Sequence, residues 1–531
     1  MAIFSSMNYF GVSSDFALSD VEDFPLQDYR ENYDAIAELE TWYTGAALDT
    51  TVKNKSSEDQ FPVRPNPIRN ASTKHSAALF GEHSDSGDVP PVRVRVKPMF
   101  EDRSDETEEI EKKLQFVLSE NNFGATMIEA GHKSQYQGGA IFRVGYDPDN
   151  PLLESKITLS SIDAKDFIGY ADKGNPWILR EAWFVKQITA SEAKAYGVEV
   201  PDNYAWYIEH WTKTDFYVRI NDTPIVITAN GEEQLSEGPN PFGIVPFVYI
   251  PHAPRKASGL YGESITTDGV KTLIRELSAR ISDSGDAVSE EVHNYAVMSN
   301  VRGAPRIVDS IPGLRIIDTG STQALVNGDA KPELDMLKRT SLSSSMLDLV
   351  DELYKLLRRE LYHPAVADGE DEGSQRSSAT LYTRMWHLTS HIKMERTYWT
   401  SGIRTLAKFI LMIMGMYKLL GIPVDAHKFR IGVQWSSTLP RDRTELINEL
   451  AVRASNNLGS LQTLLEAVGD VDDVEAEVEE IIEWLKEIAE LNAIGYGNQQ
   501  QGGAPGQGKP FSPKTNTQTR PPSKKAGGSN E

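Results

Sequence analysis

There is no cysteine anywhere in the 531 residues. That excludes a disulfide framework, a thiolate nucleophile and any cysteine-ligated zinc or iron–sulfur centre, so stability has to come from packing and assembly. Long apolar runs are scarce too. The most hydrophobic stretch, Phe409 to Ile422 (FILMIMGMYKLLGI), carries Lys418 and falls short of the roughly 20 residues that cross a bilayer. With a mean hydropathy of -0.41, no membrane partner is expected. The first residues, MAIFSSMNYFGVSSDFALSDVEDF, lack the basic start and unbroken apolar stretch of a secretory signal. Positive charge is in deficit: 54 Lys and Arg stand against 77 Asp and Glu, a formal net charge of -23, which disfavours tight wrapping around nucleic acid. The phosphate-loop GxxxxGK[ST], the dinucleotide-binding glycine fingerprint, HExxH and GxSxG are all missing. No cofactor is therefore expected, and if the chain moves DNA, its ATP hydrolysis belongs to a partner.

What is present is ordinary globular material, 39% hydrophobic and 25% charged, in a chain too long for one growing core, so two or more packed units are expected. Apolar positions at helical spacing (Tyr33, Ile36, Leu39, Tyr43) predict a helix over 28–44, stopped by Gly45. Residues 57–67 and 82–91 read as loops. The alternating VRVRVK predicts a strand at 92–97, and Ile110, Leu114, Val117 and Leu118 predict a helix over 104–121. From 139 to 251 short β-rich runs (AIFRVGY, KITLSSI, WILREAWFV, YAWYIEHW, DFYVRI, TPIVIT) are divided by turn residues, a substantial sheet.

A long amphipathic helix is predicted over 265–292. The runs PRIVD, LRIID and ALVN are then strand candidates within 304–332. A second helix over 332–363 carries Leu342, Met346, Leu349, Leu353, Leu356 and Leu361 and ends at Pro364. Ala365 to Ser377 (AVADGEDEGSQRS) cannot bury a face and reads as a loop. A nearly heptad stripe from Ser378 to Leu420 predicts one very long helix, kinked at Gly402 or Gly415 if it kinks. The strand candidate KFRIGVQW follows, then acidic helices to 492. Residues 493–531, rich in Gly, Gln, Pro, Ser and Lys, are expected to be disordered and basic.

Candidate chemistry is sparse. His387, His391 and Glu395 lie at metal-ligand spacing on the long helix, but polar contacts of a packing helix account for them, and no metal is expected. Asp368, Glu370, Asp371 and Glu372 offer oxygens that suit Mg²⁺. They sit, however, on a glycine-flanked loop, whereas catalytic carboxylates are normally fixed on rigid elements. Arg302, Arg306 and Arg315 in the small β insert suit an interface or a phosphate. Trp177, Trp183, Trp206 and Trp211 on alternating strands are expected in the core.

The order of elements, together with IAELETWYTG, VPFVYIP leading into GESITTDGVKTLIRELSARISDSGDAV, and SQRSSATLYTRMWHLTSHIKMERTYWTSGIRTL, resembles the portal proteins of siphophage-type tailed bacteriophages over roughly 27–490. The resemblance implies an α+β protomer with long stem helices, a sheet-containing wing, a small β-containing clip and a helical crown. Its parts would be an N-terminal arm (1–26), wing (27–263), stem helix (264–293), clip (294–331), returning stem helix (332–363) and tunnel loop (364–377). A long wing helix (378–421), a wing strand with its connection (422–441), the crown (442–492) and a basic tail (493–531) would follow. It also implies a non-enzymatic subunit of a dodecameric ring at the portal vertex of the virion capsid, assembled in the host cytoplasm. Double-stranded DNA would pass through the channel during packaging and ejection. A terminase motor, a head-completion adaptor, and major capsid and scaffolding proteins would be its partners. The tunnel-loop residues Asp368, Glu370, Asp371, Glu372, Gln375 and Arg376 would face DNA, and Arg302, Arg306 and Arg315 would meet a partner of the clip. Two other readings stand beside it: a metal-dependent phosphoryl-transfer enzyme using the acidic loop or the His387 and His391 pair, and a different capsid-associated scaffold.

Overall fold

The computed structural model describes residues 18–48, 63–81, 92–97, 104–148, 150–229, 232–254, 260–292, 294–299, 306–311, 314–318, 333–336, 344–368, 383–436, 438, 443–468 and 474–497. It is a mixed helix and sheet protein of the expected α+β class, divided into units 1–445 and 446–531. In the first unit, α1 (Leu26–Thr44) buries Tyr29, Ile36 and Trp42 and closes on Gly45, whose φ of 83° suits glycine. The N-terminal arm already contributes to a core here, with Leu18 buried beside Phe24 and Trp183. Next comes α2 (Pro67–Phe80), where a loop was expected to extend to Pro67. Proline at its first position costs no hydrogen bond, and the Asn66 side chain accepts from the Arg69 N–H.

The strand expected at 92–97 is β1 (Val92–Lys97), with Val92, Val94 and Val96 buried and the arginines between them half-exposed. Helix α3 (Ser104–Glu120) buries the Ile110, Leu114, Val117 and Leu118 stripe, and α4 (Phe123–Gln137) follows across Asn122. Gly131 lets α4 approach α2, since a Cβ there would lie 2.4 Å from the Phe80 ring.

The sheet region runs β2 (Gly139–Tyr146), β3 (Ile157–Ile162), β4 (Phe167–Ala171), β5 (Leu179–Thr189), β6 (Tyr204–Thr212), β7 (Asp215–Ile220), β8 (Thr223–Pro224), β9 (Val226–Ala229), β10 (Glu232–Leu235), β11 (Glu237–Pro239) and β12 (Phe247–Pro251). Antiparallel β12-β2-β3 forms one sheet, β11-β7-β6-β5-β4 with β8 a second, and β9-β10 a hairpin. As expected, Trp183, Trp206 and Trp211 are buried; Trp177 is half-buried and lies 6.0 Å from the Tyr398 ring.

After α5 (Asp268–Val292) come β13 (Asn294–Ser299), β14 (Arg306–Ile311), β15 (Leu314–Asp318) and β16 (Glu333–Met336), ordered β14-β15-β13-β16 with β13 and β15 parallel. This corrects the helix predicted from 332: residues 333–336 pair antiparallel with β13, and the returning helix α6 is Ser344–Glu360. The PRIVD and LRIID strands are there; ALVN lies outside the described residues. Helix α7 (Trp386–Met416) passes Gly402 without a break, and ends where Lys418 and Leu420 take positive φ. Gly402 is a contact point and not a kink: a Cβ there would stand 2.3 Å from Ile250. Strand β17 (Arg430–Trp435) pairs antiparallel with β1.

The largest core joins α2, α3, α4, β2, β3, β12, β1, β17 and α7. At its centre the fully buried Trp399 meets Phe80 at 5.4 Å and Phe142 at 6.0 Å, both edge to face.

The second unit holds most of α8 (Arg443–Ser455), then α9 (Leu461–Val468) and α10 (Val474–Gly497). Ile447, Val452, Ile482, Trp484 and Leu485 are exposed on these helices. Helix α10 runs to Gly497 and so continues five residues past 492, where the disordered tail was expected to begin.

Candidate functional site

The helices α5 and α6 form a pair whose terminus leads to the acidic loop. Thr267 begins α5 by accepting from the Val270 N–H. Val270, Ile274 and Leu277 then pack with Leu357 and Leu361 of the α6 end, with Ile281, Val350 and Leu353 alongside. The first half of α5 thus meets the last half of α6, as an antiparallel return requires. The inner face of α6 carries Val350, Leu353, Leu357 and, just past its end, Leu361. Leu349 and Leu356, expected on that stripe, are exposed at 45% and 38%, as is Leu347 at 53%.

Helix α6 ends in a tight left-handed cap. The His363 N–H donates to Arg358 O and the Tyr362 N–H to Arg359 O, with Tyr362 at φ 51°. Glycine normally takes that position, and a Cβ there costs about 1–2 kcal/mol. The Tyr362 ring, stacked on His391 at 4.3 Å and 8°, holds it. Pro364 then prevents the helix from continuing. The following turn, Ala365–Asp368, is fastened to α2. The Asp368 carboxylate accepts from Lys74 at 2.6 Å, His363 Nε2 at 2.9 Å and Asn70 at 3.2 Å, with Arg358 3.7 Å away. Partial burial works against the charged carboxyl, but the Lys74 and His363 hydrogen bonds outweigh it and hold the group down at about 2. Asp368 therefore anchors the root of the acidic loop.

Behind this root lies a cluster of buried polar groups. His391 and Glu395 are one turn apart on α7, and His252 follows the end of β12. His252 Nε2 is 2.7 Å from Glu395 Oε1, and Gln135 of α4 donates to that same oxygen at 2.8 Å. His75 of α2 completes the group, its ring 5.4 Å from that of His391. Burial disfavours the imidazolium form and pulls His391 down to about 4 and His75 down to about 3. At His252 burial acts the same way, but the adjacent Glu395 carboxylate outweighs it and the net shift is upward.

Of the residues singled out in the sequence, Glu370, Asp371, Glu372, Gln375, Arg376 and Arg302 lie outside the described residues. Arg306 and Arg315 fall on adjacent strands, each opposite an aspartate: Arg306 across from Asp318 and Arg315 across from Asp309. The histidine triad is only partly as spaced: His391 and Glu395 are buried, but His387, one turn before His391 on α7, is exposed, and His252 takes its place. His75, His252 and Gln135 carried no local signal, since strands and helices far apart in sequence bring them together.

No helix among the described residues is long and apolar enough to cross a membrane. A family model described as phage portal protein, SPP1 Gp6-like, matches residues 94–492. No curated protein matches the chain.

Proposed function

The chain belongs to the SPP1 Gp6-like family of phage portal proteins, structural components of the bacteriophage capsid connector that serve DNA packaging and typically form dodecamers, and from that premise we propose that it is the protomer of a ring through which double-stranded DNA enters and leaves the capsid. The observation that carries the ring reading is the apolar surface left on α6. Its inner face is covered by α5, yet Leu347, Leu349 and Leu356 stay exposed. A cyclic head-to-tail interface covers such flanks on every copy and closes without a free end.

In this reading α5 and α6 are the stem, and the four-stranded sheet within 294–336 is the clip, docking terminase during packaging and a head-completion adaptor afterwards. Residues 27–263 with α7 and β17 form the wing, and 442–492 the crown, near capsid and scaffolding proteins. Assembly takes place in the host cytoplasm. Loop 364–377 is the tunnel loop, rooted by Asp368 and presenting Glu370, Asp371 and Glu372 to DNA. The net charge of -23 suits passage: a negative wall repels phosphates within about 8 Å at physiological salt, so DNA does not stick. The family is structural and not enzymatic, and no observation favours phosphoryl transfer.

The test is a packaging assay with Glu370, Asp371 and Glu372 all changed to Lys. Normal rings with slowed DNA translocation are expected. Unchanged translocation in normal rings would remove the tunnel-loop assignment.

A further inference from the structure

We propose that His252, His391 and Glu395 bind one divalent transition-metal ion, zinc by the chemistry of the donor set, as a structural staple behind the root of the acidic loop. The donor atoms of the three side chains lie within 4.8 Å of one another, and all three residues are buried. They come from two elements, the end of β12 and one turn of α7, so a shared ion would join strand to helix. Two imidazoles and a carboxylate without any thiolate suit zinc and its neighbours, whereas magnesium and calcium prefer all-oxygen sites.

Two features of the hydrogen bonding point to a cation site. First, the ring of His252 is held from behind by the Glu263 carbonyl, 3.0 Å from Nδ1. That contact fixes Nδ1 as the protonated nitrogen and aims Nε2 at the cluster, the outer-sphere arrangement that metal-bound histidines use. His252 Nε2 approaches Glu395 Oε1 to 2.7 Å without hydrogen-bond geometry. Second, His391 Nε2 and Glu395 Oε2 are sealed from solvent and have no hydrogen-bond partner among the described residues. Buried polar atoms are rarely left in that state. An imidazolium–carboxylate pair between His252 and Glu395 accounts for one contact and leaves these two atoms unexplained; a cation accounts for all of them.

The geometry is within reach of a tetrahedral ion. Bonds of about 2.0–2.1 Å put ligand atoms roughly 3.3 Å apart, so the 2.7 Å edge opens and the wider ones close through side-chain torsions. His75 lies beside His391 but outside the group of donor atoms that lie within 4.8 Å of one another, so a water would fill the fourth position. Since Tyr362 stacks on His391, the ion would also steady the cap from which the loop departs.

The experiment uses the untagged full chain. After dialysis against a chelator it is titrated with Co²⁺ alone, then with Zn²⁺ in competition, followed by visible absorption, elemental analysis and thermal unfolding. One equivalent of cobalt per chain with tetrahedral d–d bands, displaced by zinc, together with a higher Tm that chelator reverses, is the expected result. His391→Gln and His252→Gln should each weaken binding by more than about tenfold, the least that losing even an outer-sphere partner costs. His387→Ala, the exposed histidine at equivalent spacing, should bind as the unsubstituted chain does. If either glutamine variant fails to fold, the cobalt spectrum and stoichiometry of the unsubstituted chain decide alone. Folded protein that takes up no stoichiometric cobalt or zinc would overturn the proposal, as would loss of binding in His387→Ala equal to that in His391→Gln.

Discussion

Helices α6 and α7 are both amphipathic, yet they end in opposite situations. Helix α7 is wrapped by its own chain: Leu388, Ile392, Trp399, Ile403, Leu406, Ile410 and Ile413 are buried against β12, β2, α2 and β17. Among the described residues, helix α6 packs mainly on α5, with Trp42 and Ile68 near its C-terminal end, and its flanks carry leucines into solvent. Apolar surface of this kind on a helix whose inner face is already covered marks a partner outside the chain. In the ring proposed above, that partner is the next copy. Leu349 and Leu356, seven residues apart, fall within about 20° of each other around the helix and so lie on one flank.

The contrast yields a graded set of expectations. The largest effect belongs to the enclosed helix: Trp399→Ala removes a fully buried ring and should lower the unfolding free energy by about 3–5 kcal/mol, read from denaturant unfolding. Gly402→Ala, on the same helix, forces a methyl toward Ile250 and should cost about 1–3 kcal/mol, although alanine favours helix elsewhere. On the open helix the outcome reverses in kind. Leu349→Glu with Leu356→Glu should leave unfolding of the single chain within about 0.5 kcal/mol while weakening ring association at least tenfold, about 1.4 kcal/mol, seen by sedimentation. Helical α6 with unchanged assembly would break the comparison.

The smallest effect is at the cap of α6. Asp368→Asn should cost about 0.5 kcal/mol at neutral pH, because water screens its partly exposed ion pairs. Its sign follows from the depressed pKa of about 2 against an ordinary 3.8. The stability the carboxylate adds is complete above pH of about 4 and is lost as the pH falls through 2. The difference between Asp368→Asn and the unsubstituted chain should therefore vanish in acid, as thermal unfolding across pH would show.

Much of this architecture is legible from local pattern. The β1 alternation, the α3 stripe and the tryptophans of β5 and β6 state their burial in two- and four-residue periods. Helix α2 is not readable that way, since its buried face includes Ser72, His75 and Ser76 beside Ile68, Leu79 and Phe80, and polar residues blur the stripe. Strand β16 is only four residues long and takes its conformation from pairing with β13, so continuing a helix backward from Met346 overran it. The histidine cluster shows the same limit. Spacing finds His391 and Glu395, but it cannot tell which face of α7 is inward, and His252 comes from the end of a strand far away in the chain.

The central claim is that the apolar flank of α6 is covered by another copy of this chain in a closed ring. Mass measurement and electron microscopy of the same purified full-length sample test it together. The account predicts one species at an integral multiple of the chain mass, with a central hole, which the Leu349→Glu, Leu356→Glu variant converts to single folded chains. Folded monomers at every concentration of the unsubstituted protein, or rings that survive both substitutions unchanged, would contradict it.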